Sequence, residues 1–522
     1  MTRRSAARRW SPVVMATVAA LAAGCGSTVQ NVAGVPAGSD LSVGTGSSPL
    51  PGATAPGATA PGTSGAPGIG GPGAITNPGQ AARAGTPGAG SAPTGVQRRG
   101  GTGTSVPTAT DGPGVTPTTI DIGAFYASQA VAAADSGLGA AGISPGDQKA
   151  QQLAIIDYVN RHGGVGGRKV RPIFQELNPN QDTQQTYQSA CSTWTNDHKV
   201  FVMQPQASVL LDQCAANAHA LAIDTGAVAE GTMPLYRKFP SLLVLSSPAI
   251  DRSMRITIDG LARQHYFSSG AKVGIATWDD PAFTYGVQHA ARPALSALGF
   301  DNVPVEYVAV PQSDAGLGAT GASINSAVLR FHQQGIDHVL LLDGPAGING
   351  AGTLVLLWMR DADTQHYTPR YGLNSTSGFS TLAPELPKAQ QIGALGVGWM
   401  PSLDLSSSDY PDSKLPADGK LCLQIMTKAG QAPQNSNQKS SELGFCEFYF
   451  FLQRVLGRVQ GPLNEQTALA AIDAVGSSFQ PIATFASSFS ASKHDGMAVV
   501  KDIAYNPSCN CYRYTSNGHR VS

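Results

Sequence analysis

The sequence predicts an α/β protein of two lobes, each a parallel sheet covered by helices. Three observations carry that prediction. From Val115 onward, short β-branched runs alternate with helical patterns, the order that builds parallel sheets buried on both faces. The alternation comes as two successive series over about 400 residues, more than one ordinary domain holds. From Gly26 to about Gly114 the chain is Gly, Pro, Ala, Thr and Ser with almost no large apolar side chain, so the 61 Gly and 36 Pro of the whole chain mark a segment and not a core.

Residues 1–25 read as an export signal. Arg3, Arg4, Arg8 and Arg9 give a positive start, and Val13 to Ala23 an apolar stretch. That stretch, roughly eleven residues, has signal-peptide length and is too short to span a bilayer. It ends in Leu21-Ala22-Ala23-Gly24-Cys25, which resembles a bacterial lipobox, where small residues precede a cysteine whose thiol takes a diacylglycerol. Cys25 is therefore the expected lipidation site; the alternative is ordinary secretory cleavage with Cys25 a spare thiol. Residues 26–114, with the imperfect Pro-Gly-Ala-Thr repeat at 51–63, cannot bury enough apolar surface to offset chain entropy and should form a disordered tether. Its reach as a coil is on the order of 50 Å.

In the body, Thr119 to Phe125 reads as a strand, and Ser144-Pro145 opens a helix with Ser as N-cap and Pro at the first helical position. Leu153, Ile156 and Val159 or Asn160 fall on one face of that helix, and Gly163-Gly164 ends it. The cycle repeats with strands at Lys169–Phe174, Val200–Met203 and Leu221–Ile223 and helices around 182–196 and 208–219. The second series has strands at Lys272–Thr277, His338–Leu342, 369–373 and 392–397, with a helix at Ser323–Gln334.

Residues 157–170 read Asp-Tyr-Val-Asn-Arg-His-Gly-Gly-Val-Gly-Gly-Arg-Lys-Val. This resembles a signature of the type 1 periplasmic binding proteins of the branched-chain amino-acid receptor family, where the first helix ends in an Asn-x-x-Gly-Gly turn into the second strand. Gly-Val-Thr-Pro-Thr-Thr-Ile-Asp-Ile-Gly at 114–123 is similar to that family's opening strand, and Lys272 to Gly286 to the start of its second lobe. The resemblance covers roughly 114–522. It implies the type 1 periplasmic-binding fold with three crossovers, expected near 245–252, 398–404 and 482–490. Lobe 1 is then 115–248 plus 402–484, and lobe 2 is 249–401 plus 485–522.

Ligands of open α/β sheets meet the loops at the carboxyl ends of strands. That rule nominates Ser128, Gln129, Gln206, Ser208, Thr225, Tyr285, Asp343 and Asn374, with Trp399 at a crossover as a cleft cap. The resemblance implies a hydroxyl at Ser208 for a ligand carboxylate and Asp343 as partner of an ammonium group. Val228 stands where the family has Thr, a departure from the amino-acid pattern. Each residue can also be read as an ordinary loop or turn former.

Without Cys25, six cysteines remain, an even number that suits disulfides in an exported protein. Fifteen pairings are open; sequence-neighbour pairing, Cys191 with Cys214, Cys422 with Cys446 and Cys509 with Cys511, is the expectation, and it keeps each pair within one lobe.

Signals for chemistry fail on inspection. Gly142-Ile143-Ser144-Pro145-Gly146 has the nucleophile-elbow pattern, but Pro145 has no N–H for an oxyanion hole. The glycines at 163–167 end a helix and lack the P-loop Lys-Ser/Thr. His332 and His338 have no metal-ligand spacing, and Asp279-Asp280 suits a loop better than paired acid–base work. Neither a metal nor a cofactor is expected. The 34 basic and 34 acidic residues cancel, giving no electrostatic ground for a nucleic-acid partner. The expectation is a non-enzymatic, lipid-anchored extracytoplasmic binding protein. It would deliver a small polar ligand, such as an amino acid or amide, to an ABC permease by cleft closure. The alternative is a sensing or wall-associated binder of the same fold with no permease.

Overall fold

The computed structural model describes residues 110–127, 146–178, 181, 183–205, 208–225, 231–345 and 352–521. The signal, Cys25 and nearly all of the tether lie outside them. The tether's last residues are packed: Gly112 N–H donates to the Leu463 carbonyl at 2.8 Å, and Leu463 N–H to the Asp111 carboxylate at 2.8 Å.

The first sheet contains β1 (Thr119–Tyr126), β2 (Lys169–Glu176), β3 (Val202–Met203), β4 (Leu221–Asp224) and β5 (Leu242–Val244), in the order β2-β1-β3-β4-β5. All its pairings are parallel, with Thr119 opposite Lys169 and Tyr126 opposite Glu176 in β1 and β2. Between these strands run α1 (Gln148–Arg161), α2 (Thr183–Ser192) and α3 (Val209–Asn217). Strand alternation sends Ile120 and Ile122 to a core shared with Ile155, Ile156 and Val159 of α1. Phe125 and Met203 go to the opposite core with Trp194 and Leu211. Gly123 is required there, because a Cβ would stand 2.4 Å from the Trp194 ring.

Two details of α1 correct the sequence reading. Ser144 lies outside the described residues, and the helix begins at Gln148 with Asp147 as its N-cap, whose Oδ1 accepts Ala150 N–H at 3.0 Å. Leu153 is 44 % exposed. The buried face includes Gln151 and Gln152 instead, because the Gln152 amide donates to the Phe125 carbonyl at 2.7 Å and accepts from Tyr449 Oη at 3.0 Å. The 157–170 turn forms as its glycines predict. Asn160 closes it by bridging Val170 N–H (2.7 Å) and C=O (3.0 Å), and Gly164 sits at φ +61° with the Arg168 carbonyl where a Cβ would be.

After β5 the chain enters α4 (Ile250–Arg263) and the second sheet: β6 (Val273–Trp278), β7 (Val305–Val308), β8 (His338–Leu342), β9 (Arg370–Asn374) and β10 (Leu395–Gly398), with α5 (Leu317–Gln334) and α6 (Thr353–Thr364). It returns through α7 (Ala417–Lys428), α8 (Ser436–Arg454) and α9 (Glu465–Val475). These add Phe448, Phe450 and Phe451 to the core on the α1 face of the first sheet. The chain ends in β11 (Val499–Asn506), β12 (Cys511–Tyr514) and β13 (His519–Arg520) on the second sheet. The order there is β12-β11-β10-β9-β8-β6-β7 with β13 on β11. Strand β11 runs antiparallel to β10, while β6 to β10 are parallel. The fold is thus two parallel-sheet α/β lobes with flanking helices.

Candidate functional site

Both parallel sheets direct the carboxyl ends of their strands into loops, where the nominated residues fall. Ser128, Gln129 and Gln206 lie outside the described residues, as does Val228. Ser208 is the N-cap of α3, its Oγ accepting Leu211 N–H at 3.4 Å. Thr225 follows β4, half-buried, with its N–H on the Asp224 carboxylate at 2.7 Å. Its hydroxyl stands beside Gly444 of α8, where an added Cβ would be 3.4 Å from Oγ1.

On the second lobe, Tyr285 sits in a short helix, Pro281–Gly286, half-buried and stacked on His289 with 4.2 Å between ring centres. Asp343 directly follows β8 but is only 4 % exposed. Its Oδ1 accepts the Trp278 indole N–H at 3.0 Å and Gly344 N–H at 2.7 Å, and Oδ2 accepts Val355 N–H at 3.4 Å. Burial pushes its pKa up to about 7 against these donors. Asn374 is buried at the end of β9, its amide donating to Thr257 Oγ1 at 3.1 Å and its Oδ1 accepting Thr376 N–H at 2.9 Å. Thr376 Oγ1 in turn donates to the Asp343 carbonyl at 2.6 Å. Asp343 and Asn374 are therefore joined through Thr376 in one polar network of the second lobe. Trp399 is fully buried, its backbone N–H on Ser375 Oγ at 2.7 Å.

The strand-end rule reaches the loop of Gln204 without singling out the residue. Gln204 directly follows β3 with 0 % exposure, its backbone N–H bonded to the Gly123 carbonyl. Neither polar atom of its side-chain amide has a hydrogen-bond partner among the described residues. Burying an unpaired amide costs on the order of 1–3 kcal/mol, so this side chain needs a partner to recover that cost.

Sequence reasoning also misses three buried acids. Glu447 of α8 is fully buried. One oxygen accepts Ile482 N–H at 2.7 Å and Ala483 N–H at 2.6 Å, and the other accepts the Ser246 hydroxyl. It ties the chain leaving β5 to the chain returning after α9. Asp495, also buried, accepts Ala249 N–H at 2.9 Å and the Arg252 guanidinium at 2.6 Å. Shortly after β10, Asp404 accepts Tyr514 Oη at 2.6 Å, Ser375 Oγ at 3.0 Å and Met400 N–H at 3.0 Å, and burial pushes it up to about 7. The available signal for Glu447 is one acid inside the run Phe445-Cys446-Glu447-Phe448-Tyr449-Phe450-Phe451. A cavity of about 510 Å³ opens beside the first turns of α4, lined by Met233, Asp251, Arg252, Arg255 and Lys493 among others. Its cations are already engaged: Lys493 Nζ donates to the Ser488 and Met497 carbonyls at 2.9 and 3.2 Å. Among the described residues no group of three or more His, Cys, Asp or Glu could hold a metal ion.

A family model described as periplasmic binding protein matches residues 130–499, from after β1 to the start of β11. The chain belongs to the periplasmic binding protein family. Membership makes it a binding protein and not an enzyme, of a family that works outside the cytoplasm. Solved structures share the fold. A possible leucine/isoleucine/valine-binding protein from Rhodopirellula baltica is 12 % identical with a TM-score of 0.53, over 76 % of this chain and 96 % of that one. A branched-chain amino acid ABC transporter protein from Thermus thermophilus with bound valine is 16 % identical at TM-score 0.53, covering 78 % and 98 %. A solute-binding protein of an ABC transporter from R. palustris, in complex with 4-hydroxybenzoate, is 14 % identical at 0.53, covering 76 % and 96 %. No curated protein matches the chain. Among the described residues no helix of this periplasmic binding protein is long and apolar enough to cross a membrane.

Proposed function

We propose that the chain is the solute-binding component of an ABC importer, held to the membrane by a lipid on Cys25. In this reading it captures a small polar ligand, an amino acid, amide or related compound, between lobes 115–248 plus 402–484 and 249–401 plus 485–522. The observation that carries the reading is the buried, unpaired amide of Gln204 at the carboxyl end of β3, which offers a donor and an acceptor where open α/β sheets take ligands. In this reading Ser208, Thr225 and Tyr285 contribute from strand-end loops, and Ser128, Gln129 and Gln206, outside the described residues, are further candidates. Asp343, Asn374 and Trp399 act from behind, setting the loops of the second lobe. The solved relatives carry valine and 4-hydroxybenzoate, so amino acids and aromatic acids are the ligand classes to try first.

The test is a thermal-shift screen of the full chain against aliphatic amino acids, amides and benzoates. A ligand that binds only the folded state raises the melting temperature by mass action. A concentration-dependent rise with one class supports a receptor for that class. A well-folded protein that responds to none of them overturns the solute-capture reading and favours the wall-associated role that the long tether suggests.

A further inference from the structure

Three cysteine pairs stand within bonding distance: Cys191 with Cys214, Cys422 with Cys446, and Cys509 with Cys511. They differ in two ways that govern reactivity. The first two close loops of 23 and 24 residues, the third a ring over the single residue Asn510. A cross-link restrains the unfolded chain less as its loop shortens, so the third adds least to stability. Access differs as well. Cys422 and Cys446 are fully buried and Cys214 nearly so, whereas Cys509 is exposed and Cys511 is 8 % exposed. Exposed bridges are the labile ones in thiol exchange.

The local build favours directed attack. Cys509 lies in the turn between β11 and β12, where Asn506 pairs with Cys511. Asn510 is held at φ +49° with its side chain accepting Tyr505 Oη at 2.6 Å, so the turn is fixed independently of the sulfurs. Tyr512 anchors the hairpin, buried against Phe379 with 4.7 Å between ring centres. Cys511 Sγ faces the Asp409 carboxylate at 3.6 Å, and Asp409 is bridged by Arg513 at 3.2 Å. One sulfur is open to a nucleophile and the other is sheltered beside a carboxylate.

We propose that Cys509–Cys511 is a thiol–disulfide exchange site whose partner is an exported dithiol protein, an activity separate from solute capture. A thiolate of the partner attacks Cys509 Sγ to form a mixed disulfide. The Cys509–Cys511 bond breaks with its electron pair on Cys511 Sγ, which takes a proton from solvent, because the neighbouring Asp409 disfavours a second negative charge. The partner's other thiolate then attacks its own sulfur in the mixed disulfide and releases Cys509 as thiolate. The partner leaves oxidised by two electrons, and the bridge is left as a Cys511 thiol and a Cys509 thiolate that solvent protonates.

The full chain, titrated with dithiothreitol against its oxidised form, alkylated and mapped by peptide mass, tests this. Cys509 and Cys511 should become alkylated together at a reductant ratio at least about tenfold below that needed for the other four cysteines. In a Cys511→Ser variant, oxidised glutathione should be trapped on Cys509. The idea fails if the 509–511 pair is reduced with or after the others, or if it is already free and oxidised glutathione does not close it. It fails equally if wild-type protein traps glutathione on Cys511 in preference to Cys509.

Discussion

Glu447 accepts the backbone N–H of Ala483 at 2.6 Å, so one side chain of α8 fixes the chain that returns after α9. The same carboxyl group reaches Ser246 in the chain leaving β5, and burial raises its pKa. In its neutral form it can accept the N–H groups of Ile482 and Ala483 on one oxygen and share a proton with Ser246 on the other. That pattern is what a glutamine can imitate.

The first prediction follows from that likeness. Glu447→Gln should keep the accepted N–H bonds and cost under about 1.5 kcal/mol, within the worth of one neutral hydrogen bond. Glu447→Ala strands three donors in a dry site and should cost about 3 kcal/mol or more. Urea unfolding of both variants checks this. Equal losses for the two would mean that the residue acts through its charge or its volume and not through the bridge.

Much of the architecture is legible in the amino-acid sequence, for reasons that particular residues show. The 157–170 turn uses glycines because its backbone needs positive φ, and such a requirement leaves a mark in sequence. Parallel strands such as His338–Leu342 are buried on both faces and read as unbroken apolar runs. Strands β5 and β7 leave no such mark, since Leu242–Val244 and Val305–Val308 are too short to show a period. The β11–β12 hairpin escapes a sequence reading because it breaks the parallel pattern and adds antiparallel strands to the second sheet. Where the strand-end loops fall is legible, the directions of their side chains are not. Whether Asp343 turns to solvent or to Trp278 depends on contacts that sequence spacing does not encode, and the same holds for Gln204.

The second prediction concerns pH. Asp343 and Asp404 are both raised to about 7 by burial, far above the unfolded carboxylate value of about 3.9. Between those values the native state holds protons that the unfolded state has released. Stability therefore falls as pH rises from about 4 to 7, and flattens above the folded pKa. These two groups should make the protein more stable at pH 5.5 than at pH 7.5. Asp404→Asn should remove part of that slope, by up to about one proton. Melting curves at several pH values give the slope, and an unchanged slope in the variant would show that Asp404 stays ionised.

The third prediction separates binding from folding at Gln204. Its amide is buried without a partner among the described residues, so an apolar replacement of similar size removes a cost from the ligand-free state. Gln204→Leu should hold or raise the melting temperature of the free protein while abolishing the shift produced by whichever ligand class is found. A variant that melts lower and still responds fully to ligand would place Gln204 outside the binding surface.

The fourth prediction concerns the first lobe's cross-links. Cys191 and Cys214 stand within bonding distance between α2 and α3, 23 residues apart in sequence, and Cys422 and Cys446 between α7 and α8, 24 apart. Chain-entropy arguments give each about 3 kcal/mol. Replacing both cysteines of either pair with alanine should lower stability by that amount in non-reducing buffer and leave no difference from wild type once both proteins are fully reduced. If the two proteins already agree without reductant, the pair is not bonded in the exported protein.

The last prediction concerns attachment. Cys25 follows Ala22, Ala23 and Gly24 at the end of the apolar stretch, where a lipid-transferring enzyme would find its thiol. A myristoyl-length chain alone holds a protein to a membrane only marginally, and stable anchoring takes two such signals. A diacylglycerol supplies two chains at once, so wild-type protein should partition into detergent and sediment with membranes. Cys25→Ser leaves the folded body untouched but removes the acceptor thiol, and should shift the protein to the aqueous phase or leave it as unprocessed precursor. Intact mass of the mature N-terminus distinguishes the cases. A soluble wild-type protein that begins near residue 25 with a free thiol would mean that export ends in simple cleavage, with the body released from the membrane.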